Sequence, residues 1–86
     1  MKIIYSKKAL KFLARLDKKS VDRIHTAIKG LTKKPPEGDI KKLEGYDDDR
    51  KRLRVGGWRI IFKIDSNNEI EILFIIEIGN RGDVYK

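Results

Sequence analysis

The side chains best suited to chemistry in this chain are arginines. Arg50, Arg52 and Arg54 stand at alternate positions, and Arg59 and Lys63 follow in a second run of similar period. A guanidinium carries a planar fork of donors that matches phosphate geometry bidentately. Arginines gathered on one surface therefore suit a polyanion, and they can stabilise negative charge as it develops on a phosphate. Tyr85 adds a phenol near the C-terminus. Other reactive groups are scarce. There is no cysteine, which excludes disulfides and thiolate metal sites, and the single histidine, His25, lies beside an apolar helical stripe. No GxGxxG, Walker A, HExxH or nucleophile-elbow pattern occurs. Ser6 and Ser20 are better used as helix caps, and no carboxylate pair suits glycoside chemistry. The residues support electrostatic catalysis by arginine, assisted by Tyr85, with no metal and no cofactor.

Cations can act together only if something rigid presents them. From Arg50 to Ile64 the hydrophobic period is two, which marks strands. Gly56-Gly57 divides the run and is a strong two-residue hairpin signal, because both positions tolerate positive φ. With that turn, Val55 pairs with Trp58, Arg54 with Arg59, Leu53 with Ile60, Arg52 with Ile61 and Arg50 with Lys63. One face becomes Leu53, Val55, Trp58, Ile60 and Phe62. The other becomes Arg50, Arg52, Arg54, Arg59 and Lys63, a basic face expected to bind phosphates. Like charges directly opposite one another destabilise a sheet by up to about 1 kcal/mol per pair, so this face looks arranged for an anion. The competing reading is that Asp47, Asp48 and Asp49, immediately upstream, neutralise the arginines in surface pairs.

The rest of the chain must support this hairpin. The 86 residues suit one small domain spanning 1–86, with 40% hydrophobic residues for one core. No apolar run is long enough to span a membrane and no signal-peptide core follows Met1, so a soluble cytoplasmic protein is the expectation. The net charge of +8 favours a polyanionic partner. It resides in residues 1–45, which hold 13 basic and 5 acidic residues, whereas residues 46–86 are balanced at 8 each. Ile3-Ile4-Tyr5 reads as an N-terminal strand. Ser6 caps a first helix carrying Ala9, Leu10, Phe12, Leu13 and Leu16. Ser20 caps a second with a stripe of Val21, Ile24, Ile28 and Leu31, which Pro35-Pro36 ends. The segment from Pro35 to Asp49 reads as loop, anchored by Leu43 and Tyr46. Asp65 to Asn68 reads as a turn. Ile70 to Ile78 reads as a central strand ended by Gly79, and the tail from Asn80 to Lys86 can add a short strand. The expected fold is α+β: an antiparallel helical hairpin on one face of a mostly antiparallel sheet, in the order β-α-α-β-β-β.

Three segments together resemble the RelE/ParE toxin superfamily, and more narrowly its RelE branch of type II toxin–antitoxin systems. They are Lys42-Leu43-Glu44-Gly45-Tyr46, then Arg50 through Phe62 (RKRLRVGGWRIIF), then Ile78 through Tyr85 (IGNRGDVY). The resemblance implies a toxin that cuts messenger RNA in the ribosomal A site and inhibits translation. The ribose 2′-OH attacks the scissile phosphate and no metal takes part. Carried over residue by residue, it implies Arg59, Arg81 and Tyr85 as catalytic, and Arg50 and Arg52 as phosphate-binding beside Arg54 and Lys63. Arg50 and Arg52 stand where relatives often carry lysine, which makes proton donation there harder. Relatives that use a C-terminal histidine as an acid–base group find no counterpart here. The resemblance also implies a cognate antitoxin, small and acidic, in a hetero-oligomeric complex. The alternatives are a ParE-like toxin that inhibits DNA gyrase and a non-toxic binding module on the same fold.

Overall fold

The computed structural model describes residues 1–66 and 71–80. Its elements in chain order are β1 (Lys2–Tyr5), α1 (Lys7–Leu13), α2 (Lys18–Gly30), β2 (Asp39–Lys42), β3 (Lys51–Val55), β4 (Trp58–Asp65) and β5 (Ile72–Asn80). The strands form one sheet in the order β1-β5-β4-β3-β2. β1 runs parallel to β5 and every other pairing is antiparallel. The α+β architecture expected from the sequence is therefore present, with one strand more than the periodicity indicated. The proposed addition of a strand within the polar tail lies outside the described residues, apart from Asn80, which ends β5.

The helices start where short polar side chains can satisfy their first amide groups. The Ser6 hydroxyl accepts from Ala9 N at 3.0 Å and donates to the Ile76 carbonyl at 2.6 Å, so one side chain caps α1 and ties it to β5. In α2 the cap is Asp17 rather than Ser20: the Asp17 carboxylate accepts from Ser20 N at 3.3 Å, and the helix begins one residue later. Asp17 meets the third amide as Ser6 does in α1, and its charge favours the positive end of the helix. Hydrogen bonding from the Ser20 side chain, and then from its amide, holds the Asp17 carboxyl below its ordinary value. α2 ends at Gly30, ahead of the proline pair.

Both helices lie on one face. Ala9 and Leu13 from α1 and Ile24 and Ile28 from α2 pack with Leu31 onto Leu53, Ile60, Phe62, Leu73, Ile75 and Ile78. The core positions of β5 switch parity between Ile75 and Ile78, and an irregularity absorbs the switch. Ile61 pairs with Glu77 while the next residue, Phe62, pairs with Ile75, so Ile76 is the extra residue.

The segment read as loop contains β2, which contradicts that expectation. Asp39–Lys42 has only one partly buried position, Ile40, so hydrophobic alternation could not reveal it. Its pairing with β3 depends on Gly38, whose φ is 131° and where a Cβ would sit 2.5 Å from Leu53 Cδ1. Only glycine lets the chain pass that close.

Candidate active site

The β3–β4 hairpin has the expected register. Val55 faces Trp58, Arg54 faces Arg59, Leu53 faces Ile60 and Arg52 faces Ile61. Gly56 carries φ 56° while Gly57 stays outside the left-handed region, the pattern of a type II′ turn. Trp58 lies on the helix side as expected. It is half-buried, with the Arg23 guanidinium 5.5 Å above its ring completing the cover. Arg50 precedes β3, so the expected Arg50–Lys63 strand pair does not form.

The opposite face is not the open row of five cations that the pattern suggested. Arg52 and Arg59 are only 5% and 4% exposed. Arg52 donates Nη1 to the Asp39 carbonyl at 2.9 Å and lies 3.4 Å from that residue's carboxylate. Arg54 Nη1 lies 3.7 Å from the other Asp39 carboxylate oxygen. Asp39 pairs in register with Arg54, which pairs with Arg59, which pairs with Gly79. The repulsion between Arg54 and Arg59 is thus offset by a carboxylate on β2 at one end of the row. The aspartate triplet is also engaged: Arg50 Nε donates to both Asp48 oxygens at 2.9 and 3.0 Å, Lys63 Nζ lies 3.7 Å from Asp48, and Lys51 lies 3.2 Å from Asp49. The surface-pair reading therefore holds for Asp48 and Asp49.

What remains is a cleft of about 320 Å³ on this face, lined by Lys8, Leu43, Tyr46, Arg50, Arg59, Ile61, Ile76 and Glu77. Each wall has a structural origin. β1 stops at Tyr5 opposite Ile75 while β5 continues to Asn80, so α1 starts beside the bulged part of β5 and brings Lys8 to the cleft. Lys8 pairs with Glu77, whose hydrogen bond and negative charge raise the lysine above its ordinary value. The β2–β3 connection supplies Leu43 and Tyr46, and Arg50 stacks 4.6 Å above the Tyr46 ring. Arg59 and Ile61 come from β4. The cleft thus joins three cations, one carboxylate and an exposed aromatic ring.

Of the sequence-derived site residues, Arg50 and Arg59 meet in the cleft. Arg52 and Arg54 lie outside its lining, committed to Asp39, and Lys63 lines an adjoining hollow. Arg81 and Tyr85 lie outside the described residues. Sequence reasoning missed Lys8 and Glu77, because nothing local links a helix lysine to a strand glutamate 69 positions away. It had Tyr46 as a core anchor, yet Tyr46 is 52% exposed. Among the described residues no three His, Cys, Asp or Glu side chains converge as a metal site, and no helix is long and apolar enough to cross a membrane.

This combination of a parallel N-terminal strand, a helical hairpin and a cationic cleft on the far face of the sheet defines a small toxin fold. A model of the ParE toxin of the type II toxin–antitoxin system matches residues 3–85, and the chain belongs to that family. Its fold is similar to RelE in the RelE–RelB complex of the archaeon Pyrococcus horikoshii OT3, at 28% identity over 94% of both chains with a TM-score of 0.75. It is also similar to the RelB–RelE complex of Methanococcus jannaschii, at 26% identity over 95% of this chain and 94% of that one, TM-score 0.66. The YoeB/ParE toxin of Agrobacterium tumefaciens shares the fold at 19% identity over 94% and 99% of the two chains, TM-score 0.75. Among curated proteins no sequence matches it significantly. The protein is a toxin of the RelE/ParE type, and neighbours of this kind are found bound to RelB-type antitoxins.

Proposed function

We propose that this toxin is a ribosome-dependent messenger RNA endonuclease held in check by a cognate antitoxin. The observation that carries the reading is Arg59, a nearly buried arginine that lines a cleft together with Arg50 and Lys8. A cation held in partly dehydrated surroundings acts on phosphate charge more strongly than one in bulk water, and it needs no reorganisation as that charge develops. Arg59, with Arg81 following Asn80, would stabilise the pentavalent phosphorane. Arg50 would hold the neighbouring phosphate and keep the ribose 2′-OH in line. Tyr85 would stack or assist proton transfer; acting as a base requires its pKa to fall far below about 10. The ribosome would supply the alignment that so few acid–base groups cannot. Arg52 and Arg54 act one step back, as the charged frame behind Arg59.

The ParE family match favours a second reading, a toxin that binds and inhibits DNA gyrase without cutting RNA. Induced expression separates the two. Primer extension on a translated message shows new 5′ ends in the first case, whereas replication arrest with DNA damage and intact messages marks the second. Intact messages after growth arrest would refute the nuclease reading.

A further inference from the structure

We infer that Tyr46 and Arg50 form a nucleobase-stacking platform, a binding subsite for one unpaired base of a single-stranded RNA. The inference takes the proposed ribonuclease reading as its starting point and adds the part of the substrate that the cations do not explain. Cations recognise phosphates, but the cleft also presents Leu43 and the Tyr46 ring beside them. Tyr46 is 52% exposed although its ring lines this concave surface. One face is covered by the Arg50 guanidinium at 4.6 Å, and most of the rest is open. The platform is braced. Asp48 holds Arg50 through Nε at 2.9 and 3.0 Å, and Leu43 N donates to the Arg50 carbonyl at 3.1 Å, closing the connection that carries Tyr46. The terminal nitrogens of Arg50 have no hydrogen bond among the described residues, so they are available to a phosphate flanking the stacked base. Arg50 and Ile76 also line a second hollow of about 250 Å³ that includes Lys63 and Phe74, so the two hollows share a wall. Aromatic and guanidinium planes beside a cationic track are the elements by which proteins hold single strands, because every base has a π-face. An acidic peptide would use the cations and leave the ring idle.

The test measures binding separately from cleavage. The full-length toxin is titrated, by fluorescence anisotropy at low salt, against a short 2′-O-methyl oligoribonucleotide, which lacks the attacking hydroxyl, and against the same oligomer with abasic positions. Tyr46→Ala should weaken binding to the intact oligomer about 5- to 150-fold, and Tyr46→Phe should restore most of it. Tyr46→Ala should make little difference to the abasic oligomer. Melting curves of the variants should match wild type, since the side chain is exposed. The inference is overturned if wild type does not bind the oligomer, if Tyr46→Ala binds as wild type does, or if it loses affinity equally for intact and abasic oligomers. A loss confined to antitoxin affinity would assign the ring to that protein instead and also overturn it. A toxin that stacks the base through Tyr46 yet cuts no message on the ribosome would retain the subsite and refute the nuclease reading.

Discussion

Arg52 and Asp39 offer the sharpest test of how this site is built. The buried Arg52 guanidinium makes its short bond, 2.9 Å, to the backbone carbonyl of Asp39 and a longer one, 3.4 Å, to the carboxylate. A hydrogen bond from a charged donor contributes about 1.5–3 kcal/mol. The Asp39 carboxylate is 55% exposed, so its pairs with Arg52 and Arg54 are screened and together contribute roughly 1 kcal/mol. Arg52→Ala should therefore cost about 2–4 kcal/mol, or roughly 8–32 °C in melting temperature for a domain of this size. Asp39→Asn keeps the carbonyl and should cost about 1 kcal/mol, or 4–8 °C. Salt distinguishes them further: the Asn variant's deficit should shrink at high ionic strength, where exposed pairs are screened, while the Ala variant's deficit persists. Thermal unfolding followed by circular dichroism at low and high salt reads all four values. Equal losses from the two variants would refute the carbonyl-centred account. Arg52→Ala that melts like wild type but no longer cuts RNA would return Arg52 to direct phosphate binding.

Arg59→Ala and Arg81→Ala should each slow single-turnover cleavage of a ribosome-bound message about 10²–10³-fold, seen in the maximal rate more than in half-saturation; wild-type rates from both would remove the assigned site. Ser6→Ala removes a helix cap and leaves the Ile76 carbonyl without its donor, so it should cost about 1–3 kcal/mol in chemical denaturation, with α1 loosened from β5 in hydrogen exchange. The Asp17 carboxyl is held low in the fold, so its stabilisation is complete above the unfolded carboxylate pKa and lost as pH falls through the lower folded value. Wild type should accordingly lose stability relative to Asp17→Asn on acidification, as read by melting curves across that range. The +8 charge predicts that association with an acidic antitoxin slows as salt rises, and stopped-flow rates that ignore ionic strength would exclude steering.

Much of the fold was open to reading because its signals are local. Period-two alternation and the Gly56-Gly57 pair define the β3–β4 hairpin, and a pairing register follows from a two-residue turn without further information. The α2 stripe follows from its 3.6-residue period. β2 escaped because an edge strand of one half-buried and three exposed residues has no hydrophobic period to read. The α2 cap was misplaced because both Asp17 and Ser20 fit capping chemistry, and the helix starts at Lys18 with Asp17 as its cap.

The site divides along the same line. Sequence alone determined that arginines would share one sheet face, opposite Leu53, Ile60 and Phe62, because side chains alternate along a strand by backbone geometry. It also determined that arginine and lysine would be the abundant charged groups available to a site, in a basic chain without cysteine and with one histidine. Only the tertiary structure decided which cations line the cleft. Burial and pairing depend on groups far apart in sequence: Asp39 on an unforeseen strand engages Arg52 and Arg54, and the early end of β1 brings Lys8 to Glu77. The β2–β3 connection turns Tyr46 outward beside Arg50. Charge interactions depend on separation in space and on exposure to water, and neither is encoded in a residue's neighbours along the chain.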